Sequence, residues 1–244
     1  MIYFEHFCSE HLLVLSLMAT LVSLTLIYVG KTTERNVRII VCSLSVMLFV
    51  CEGIQEFVLV TEGGDIIDFL PFHLCNIGIF VNLAGAFAAG KIQAFFAEVS
   101  LVLIMPGSLG ALLFPDWNYR PFWSWLPMMC FFTHTLLVLI PLIFLRTGKC
   151  RVTFKHFWYS YAFLTPVVPL IYWFDIRFSE NYMFLRYPVD DSPLEWIYDL
   201  FGEPYYIPGL IVLLTAVLSA EYMIYSLAGF CGKIIADKRW GQSK

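Results

Sequence analysis

The chain has 244 residues, of which 59% are hydrophobic and only 14% are charged. Soluble domains of this size usually carry about a quarter charged residues, so the composition excludes an ordinary soluble domain and indicates a protein that lies in lipid. The formal net charge of −4 comes without a tract rich in Lys or Arg, and we therefore expect no nucleic acid partner.

Seven stretches of the sequence are long and apolar enough to cross a bilayer, which takes about 20 helical residues. They predict an all-α membrane bundle that forms one domain over residues 1–244. The third stretch contains the polar sequence FLPFHLCN and the fourth contains Pro106-Gly107, so five spans is the alternative. The seven predicted spans are about 11–30, 37–60, 69–90, 92–113, 122–146, 152–174 and 205–231.

The basic residues predict the orientation of these spans, because short cytoplasmic loops of membrane proteins are enriched in Lys and Arg. An outside N-terminus and an inside C-terminus place only Arg120, Arg177 and Arg186 outside. The basic residues then inside are Lys31, Arg35, Arg38, Lys91, Arg146, Lys149, Arg151, Lys155, Lys233, Lys238, Arg239 and Lys244. The longest connection, about 175–204, is acidic and aromatic, and it predicts an ordered lid at the outer interface.

Two carboxylates, Glu52 and Glu56, lie one helical turn apart in the second span and share one face of it. Ionisable groups inside spans are costly, so they usually face the bundle interior and often mark function. The pair is interpreted either as a proton-sharing acid/base pair or as the holder of a histidine. The alternative is that Glu56 simply reaches the outer headgroups.

Two histidines within predicted spans, His73 and His134, are further candidates. His73 is near the outer end of the third span, where either a structural hydrogen bond or a catalytic role fits. A helical arrangement would place Cys75 about 200° around the helix from His73, so the two would not share a face. His134 lies near the middle of the fifth span, where an interhelical hydrogen bond is the alternative to catalysis.

Four motifs resemble, in order and spacing over about residues 37–230, the YwaF family of bacterial integral membrane proteins. They are PFHLCN, PGSLGALLFPDW, FFTHTLLVLIPLIFLRTG, and NYMFLRYP followed by EPYYIPGL. The resemblance implies seven spans in a bacterial cytoplasmic membrane. The family is distantly similar to a eukaryotic multi-pass acyltransferase that remodels ether phospholipids, and to membrane hydrolases of fatty-acid esters. In the acyltransferase a Cys nucleophile lies in a Pro-Cys-His stretch; here Phe72 occupies the Cys position, while His73 and the later His134 match.

The resemblance and the two histidines together predict an acyltransferase or acyl-ester hydrolase whose site opens to the outer leaflet and acts on membrane lipids. The predicted roles are His134 as general base and acid, His73 as its assistant or as a ligand of the ester oxygen, Cys75 as nucleophile, Asn181 as oxyanion donor, and Glu52 or Glu56 as the residue that orients a histidine.

Two other classes of function stay open at this stage. Buried Glu and His residues with Pro-Gly breaks are also found in proton-coupled transporters. The wide aromatic loop would suit a non-catalytic membrane partner or sensor. The seven cysteines form no CxxC pair, and the common nucleotide, zinc-protease and serine-hydrolase motifs are missing, so we expect neither a metal nor a cofactor.

Overall fold

The computed structural model describes residues 3–115, 117–188 and 192–241, with the side chains of residue 193 and of residues 228–241 left undescribed. All regular elements in these ranges are helical. The chain divides into two compact units, Met1–Arg151 and Val152–Lys244. The predicted single domain stays a prediction, and the two units are described in turn.

The first unit contains six α-helices. They are α1 (Ser9–Val29), α2 (Glu34–Thr61), α3 (Leu74–Phe87), α4 (Gly90–Val99), α5 (Met105–Leu113) and α6 (Trp125–Arg146). The start of α2 shows why these ends fall where they do: the Thr33 hydroxyl accepts a hydrogen bond from the Asn36 N–H at 3.3 Å, as an N-cap residue does. Glu34 in the first turn complements the positive end of the helix dipole.

The fourth predicted span is one continuous rod, although a proline lies inside it. A π-helical turn, Ser100–Ile104, joins α4 to α5, and the Met105 N–H donates to the Ser100 carbonyl. Pro106 follows in the first turn of α5, where its missing N–H is tolerated. The wider turn therefore accommodates the proline without breaking the span.

The third predicted span is shorter than expected. Its helix begins only at Leu74, since Ile66–Phe69 form a 3-10 turn and the chain around Pro71 is irregular. The 14 residues of α3 are about 21 Å long at 1.5 Å per residue, which is less than the ~30 Å of a hydrocarbon core.

The second unit contains α7 (Trp158–Phe178), α8 (Pro193–Phe201) and α9 (Tyr206–Gly241). In the loop after α7, the backbone N–H of Tyr182 donates to Asp175 Oδ1 at 3.0 Å. The Arg186 guanidinium donates to the carbonyl of Glu180 at 2.8 Å. The described parts of the predicted 175–204 loop contain these hydrogen bonds and a helix that the sequence analysis did not predict, and the lid stays a prediction.

Five helical stretches among the described residues are long and apolar enough to cross a membrane. They are Ser9–Val29, Glu34–Thr61, Gly90–Leu113, Trp125–Arg146 and Glu203–Leu227. The prediction of an all-α membrane protein is therefore confirmed. Neither α3 nor α7 is among the five, so the count of seven and the orientation stay predictions.

Helix α3 lies at the centre of the first unit, in contact with α2, α4 and α6. Its glycines allow the close approach: a Cβ on Gly78 would lie 3.3 Å from Leu137 of α6, and one on Gly85 would lie 3.3 Å from Phe144. The second contact lies seven residues after the first in both helices, so α3 and α6 run in the same direction. The two contacts together fix the register of α3 against α6.

We expect Gly78→Ala to destabilise the protein by about 1–3 kcal/mol, because overpacking of a well-filled interior costs that much. The new Cβ would lie 2.3 Å from Ile104 Cγ2, and Ile104 is fully buried. Gly53→Ala is the matched control, since a Cβ there meets nothing within 4 Å and alanine favours the helix. Thermal unfolding in detergent measures both variants, and equal melting temperatures would contradict the packing.

Candidate functional site

The polar residues of the last turns of α2 hold this helix to two neighbours. Glu52 is buried, and its Oε1 accepts a hydrogen bond from the side-chain amide of Asn76 on α3. Gln55, which precedes Glu56 in the sequence, accepts a hydrogen bond at its Oε1 from the Cys130 thiol of α6, at 3.7 Å. The ends of α2, α3 and α6 therefore meet around side-chain hydrogen bonds, as helices in membranes commonly do.

Glu56 differs from Glu52 in its surroundings. It is half-buried, and its Oε1 is a buried oxygen without a hydrogen-bond partner among the described residues. The sequence analysis placed the two carboxylates on one helical face, but only Glu52 is tied to a neighbouring helix by a side-chain bond. A carboxylate oxygen of this kind can accept a hydrogen bond from a donor group of a bound molecule.

His73 does not belong to α3; it is the N-cap residue of that helix, with extended backbone angles of φ −66° and ψ 151°. The expected angle of about 200° to Cys75 is therefore wrong, because it assumed that both residues are helical. Leu70, the residue before Pro71, has the extended angles φ −64° and ψ 142° that this position favours, so the 3-10 turn Ile66–Phe69 does not continue into α3. His73 is half-buried.

Cys75 lies in the first turn of α3 and faces α5. Its Sγ is 3.9 Å from the hydroxyl of Ser108, which is buried and also donates to the Ile104 carbonyl at 3.0 Å. Gly78 of α3 approaches Leu137 of α6. Cys75 lies three residues before Gly78, and His134 lies three residues before Leu137. Because α3 and α6 run in the same direction, Cys75 and His134 lie at the same level of the bundle.

His134 is held in one orientation by its own helix and by an aromatic ring. Its Nδ1 lies 2.8 Å from the carbonyl oxygen of Cys130, one turn earlier. A carbonyl only accepts, so Nδ1 carries the hydrogen, and the Nε2 of the neutral ring keeps its lone pair. The ring centroids of His134 and Trp117 are 5.0 Å apart. This tautomer is the one a general base acting through Nε2 requires.

Asn181 lies in the second unit, where it organises its own loop. Its Oδ1 accepts from the Arg186 N–H at 3.0 Å, and its Nδ2 donates to the Tyr187 carbonyl at 2.9 Å. These bonds hold a backbone in which Met183 and Phe184 both have positive φ, at 54° and 56°. The oxyanion role stays a prediction, and it would have to use the second amide hydrogen of Asn181.

Another histidine, the buried His11 of α1, was missed by the sequence analysis. It is fully buried; its Nε2 lies 2.9 Å from the Leu112 carbonyl, and its Nδ1 accepts from the Phe7 N–H at 3.0 Å. Both ring nitrogens are thus engaged with backbone, which makes His11 a structural residue. Its position near the start of a span gave no sign that the helix end is covered by other parts of the chain.

A buried polar group at the π-helical turn was also missed. The Ser100 hydroxyl donates to Asn82 Oδ1 at 2.7 Å, and both residues are fully buried. The Asn82 Nδ2 and the hydroxyl of Ser45 on α2 are buried without a hydrogen-bond partner among the described residues. Single Ser and Asn residues in apolar stretches carry no distinctive sequence pattern, so only the helix packing reveals this group.

Cys150 follows α6 near the end of the first unit. Burial, together with the nearby Glu98 carboxylate, raises the pKa of the Cys150 thiol to about 12. Glu98 itself is only 1% exposed. Within the described part of the chain, no group of three or more His, Cys, Asp or Glu side chains has the arrangement of a metal site.

We expect the Glu52–Asn76 bond to contribute measurably but modestly to stability. Side-chain hydrogen bonds between membrane helices average about 0.6 kcal/mol, with a maximum near 1.7 kcal/mol. A double-mutant cycle of Glu52→Ala and Asn76→Ala, followed by steric-trap unfolding in bicelles, measures the coupling. Thr20→Ala is the control, since that exposed hydroxyl bonds only to Ser16 of its own helix. A coupling of zero would contradict the contact.

We also expect Cys150 to resist alkylation by iodoacetamide at pH 8 in the folded protein. The thiolate is the reactive form, and a pKa of about 12 leaves more than a thousandfold less of it than in an ordinary thiol with a pKa of about 8.5. Cys8, which is half-buried, is the comparison in the same sample. Peptide mass spectrometry before and after unfolding reads out both sites; rapid labelling of Cys150 in the folded state would be the contrary result.

Comparison with known proteins gives one match. The model of the TMEM164 family matches residues 6–222 of the chain. No curated protein matches it, and neither does any solved structure. The matched region runs from just before α1 into α9, and it includes every candidate site residue from Glu52 to Asn181. Because the match covers most of the sequence, the chain belongs to the TMEM164 family of membrane proteins.

Proposed function

We propose that this membrane protein transfers or hydrolyses the acyl groups of membrane lipids, with His134 as the general base. The observation that carries the proposal is the bond from Nδ1 of His134 to the Cys130 carbonyl, which fixes one tautomer of the neutral ring. An imidazole titrates near neutral pH, so it is suited to take up and release a proton in one reaction cycle. The apolar helices around it favour a lipid substrate over a soluble one.

In the direct route, Nε2 of His134 removes the proton of an attacking hydroxyl. That hydroxyl belongs to water in hydrolysis and to an acceptor lipid in transfer. Its oxygen forms a bond to the acyl carbon, the ester C–O bond breaks, and His134 returns the proton to the leaving oxygen. The charged imidazolium is stabilised meanwhile by the Cys130 carbonyl, which accepts the hydrogen on Nδ1.

In the covalent route, Cys75 is the nucleophile. Its Sγ forms a thioester with the acyl carbon while the ester C–O bond breaks, and the thiol proton passes through His134 to the leaving oxygen. A second hydroxyl then attacks the thioester, its proton passes through His134, and Sγ leaves as the thiol. This route is supported by the register of α3 and α6, which places Cys75 and His134 at the same height in the bundle.

The remaining polar residues are proposed to position the reacting groups. The bond from Asn76 to Glu52 fixes the start of α3, which carries both His73 and Cys75. His73 then assists His134 or binds the ester oxygen. Glu56, with a buried oxygen that no described residue satisfies, is the candidate to orient a histidine or a bound hydroxyl.

We further propose the topology with seven spans and an outside N-terminus. The segregation of Lys and Arg to one side supports it, and so do the positions of α3 and α7, which match two predicted spans. This topology places the ends of α2, α3 and α6 at the outer leaflet. The likeness to YwaF proteins makes the bacterial cytoplasmic membrane the proposed location.

We expect His134→Ala to lower acyl turnover by about 10²–10⁴-fold, because that is the usual contribution of a positioned general base. The assay is release or exchange of radiolabelled acyl chains by the purified protein in phospholipid vesicles. His156→Ala is the matched control; its ring stacks on Tyr159 in the second unit, outside the proposed site. Unchanged turnover in both His134→Ala and His73→Ala would refute the proposal.

Cys75→Ala separates the two routes in the same assay. The covalent route requires a hydroxylamine-sensitive acyl adduct on Cys75 and the loss of turnover when the thiol is removed. The direct route requires that turnover persists without Cys75 but still depends on His134. Cys150→Ala is the matched thiol control, since its buried thiol has a pKa of about 12.

A further inference from the structure

Helix α8, Pro193–Phe201, is short but has well-defined ends. The Ser192 hydroxyl accepts from the Leu194 N–H at 3.3 Å, and a proline follows at the first helical position. Gly202 ends the helix with a φ of 74°, an angle that glycine adopts readily. With about 100° between successive residues, the side chains of α8 fall on three distinct sides.

The first side of α8 packs on α9. Ile197 and Phe201 lie one turn apart and approach Gly209 so closely that a Cβ on this glycine would be 2.8 Å and 2.9 Å from their side-chain atoms. The rings of Tyr198 and Tyr206 meet edge to face, with centroids 5.3 Å apart. These contacts hold α8 against the first turns of α9.

The second side is apolar and is not covered by the described residues of its own unit. Trp196 is 74% exposed and Leu200 is 76% exposed, and the two lie one turn apart on the same face. The third side carries the exposed Asp199, about 60° around the helix from Trp196 and on the side away from Ile197. The exposed apolar residues therefore lie between the side packed on protein and the acidic side.

The position of α8 along the chain indicates what covers Trp196 and Leu200. Only Gly202 separates α8 from a candidate membrane span, Glu203–Leu227, which begins with the 3-10 turn Glu203–Tyr205. The large apolar residues Ile211 and Val212 of that span are more than half exposed, as lipid-facing residues are. Since α8 packs on the first turns of this span, it lies at the level where the lipid begins.

We propose that α8 is an interfacial helix that inserts Trp196 and Leu200 into the lipid surface at the Glu203 end of α9. The molecule that covers Trp196 and Leu200 is phospholipid, at the boundary between headgroups and acyl chains. The ring of Trp favours this zone because it is apolar with one N–H donor. Asp199 points to the aqueous side, which is the arrangement of amphipathic helices that lie in a membrane surface. The proposal does not depend on acyl transfer.

The experiment introduces the photo-reactive p-benzoylphenylalanine at one position at a time in the full chain. The protein is reconstituted in vesicles of phosphatidylcholine and phosphatidylglycerol, irradiated, and analysed by mass spectrometry. We expect lipid adducts at positions 196 and 200 to exceed those at position 199 by about fivefold or more, because only the apolar side contacts acyl chains. Position 197, which packs on Gly209, should give adducts within the chain.

Equal lipid adducts at positions 196 and 199 would overturn the proposal, and so would adducts at position 196 that join two copies of the chain. A second measurement does not depend on the probe: brominated phospholipids should quench a larger share of tryptophan fluorescence in the natural protein than in Trp196→Phe. An unchanged quenched share would also overturn it.

Discussion

The close approach of α3 to α6 is the contact on which the rest of the first unit depends. Gly78 and Gly85 lie along one face of α3, and each leaves room for a side chain of α6, Leu137 and Phe144. In lipid there is little hydrophobic gain from bringing helices together, so close packing at small residues is a main source of association. This contact also sets the register that brings the polar start of α3 level with His134.

The candidate site follows from that register and from a few hydrogen bonds. The Cys130 carbonyl fixes the tautomer of His134, and Asn76 ties α3 to Glu52. Each bond alone is modest, but together they fix the ring of His134 and the start of α3. The family match covers all of these residues and identifies the chain as a membrane protein.

Several features were predictable because they depend on composition or local pattern. The apolar runs predicted the five long helical stretches, and their bounds agree with the structure to within a few residues. The polar residues Glu52 and His134 were selected because lipid excludes them unless they have partners. The arrangement of His73 was not predictable by helical periodicity, since the chain around Pro71 delays the start of α3.

The sequence by itself determined that this protein lies in a membrane, the approximate bounds of its five long helical stretches, and that Glu52 needs a partner. It did so because apolar runs and buried charge act locally. Only the tertiary structure decided which partners the polar side chains find: Asn76 for Glu52, the Leu112 carbonyl for His11, and Ser100 for Asn82. The physical reason is that hydrogen bonds between helices depend on crossing and register, which arise when distant segments pack.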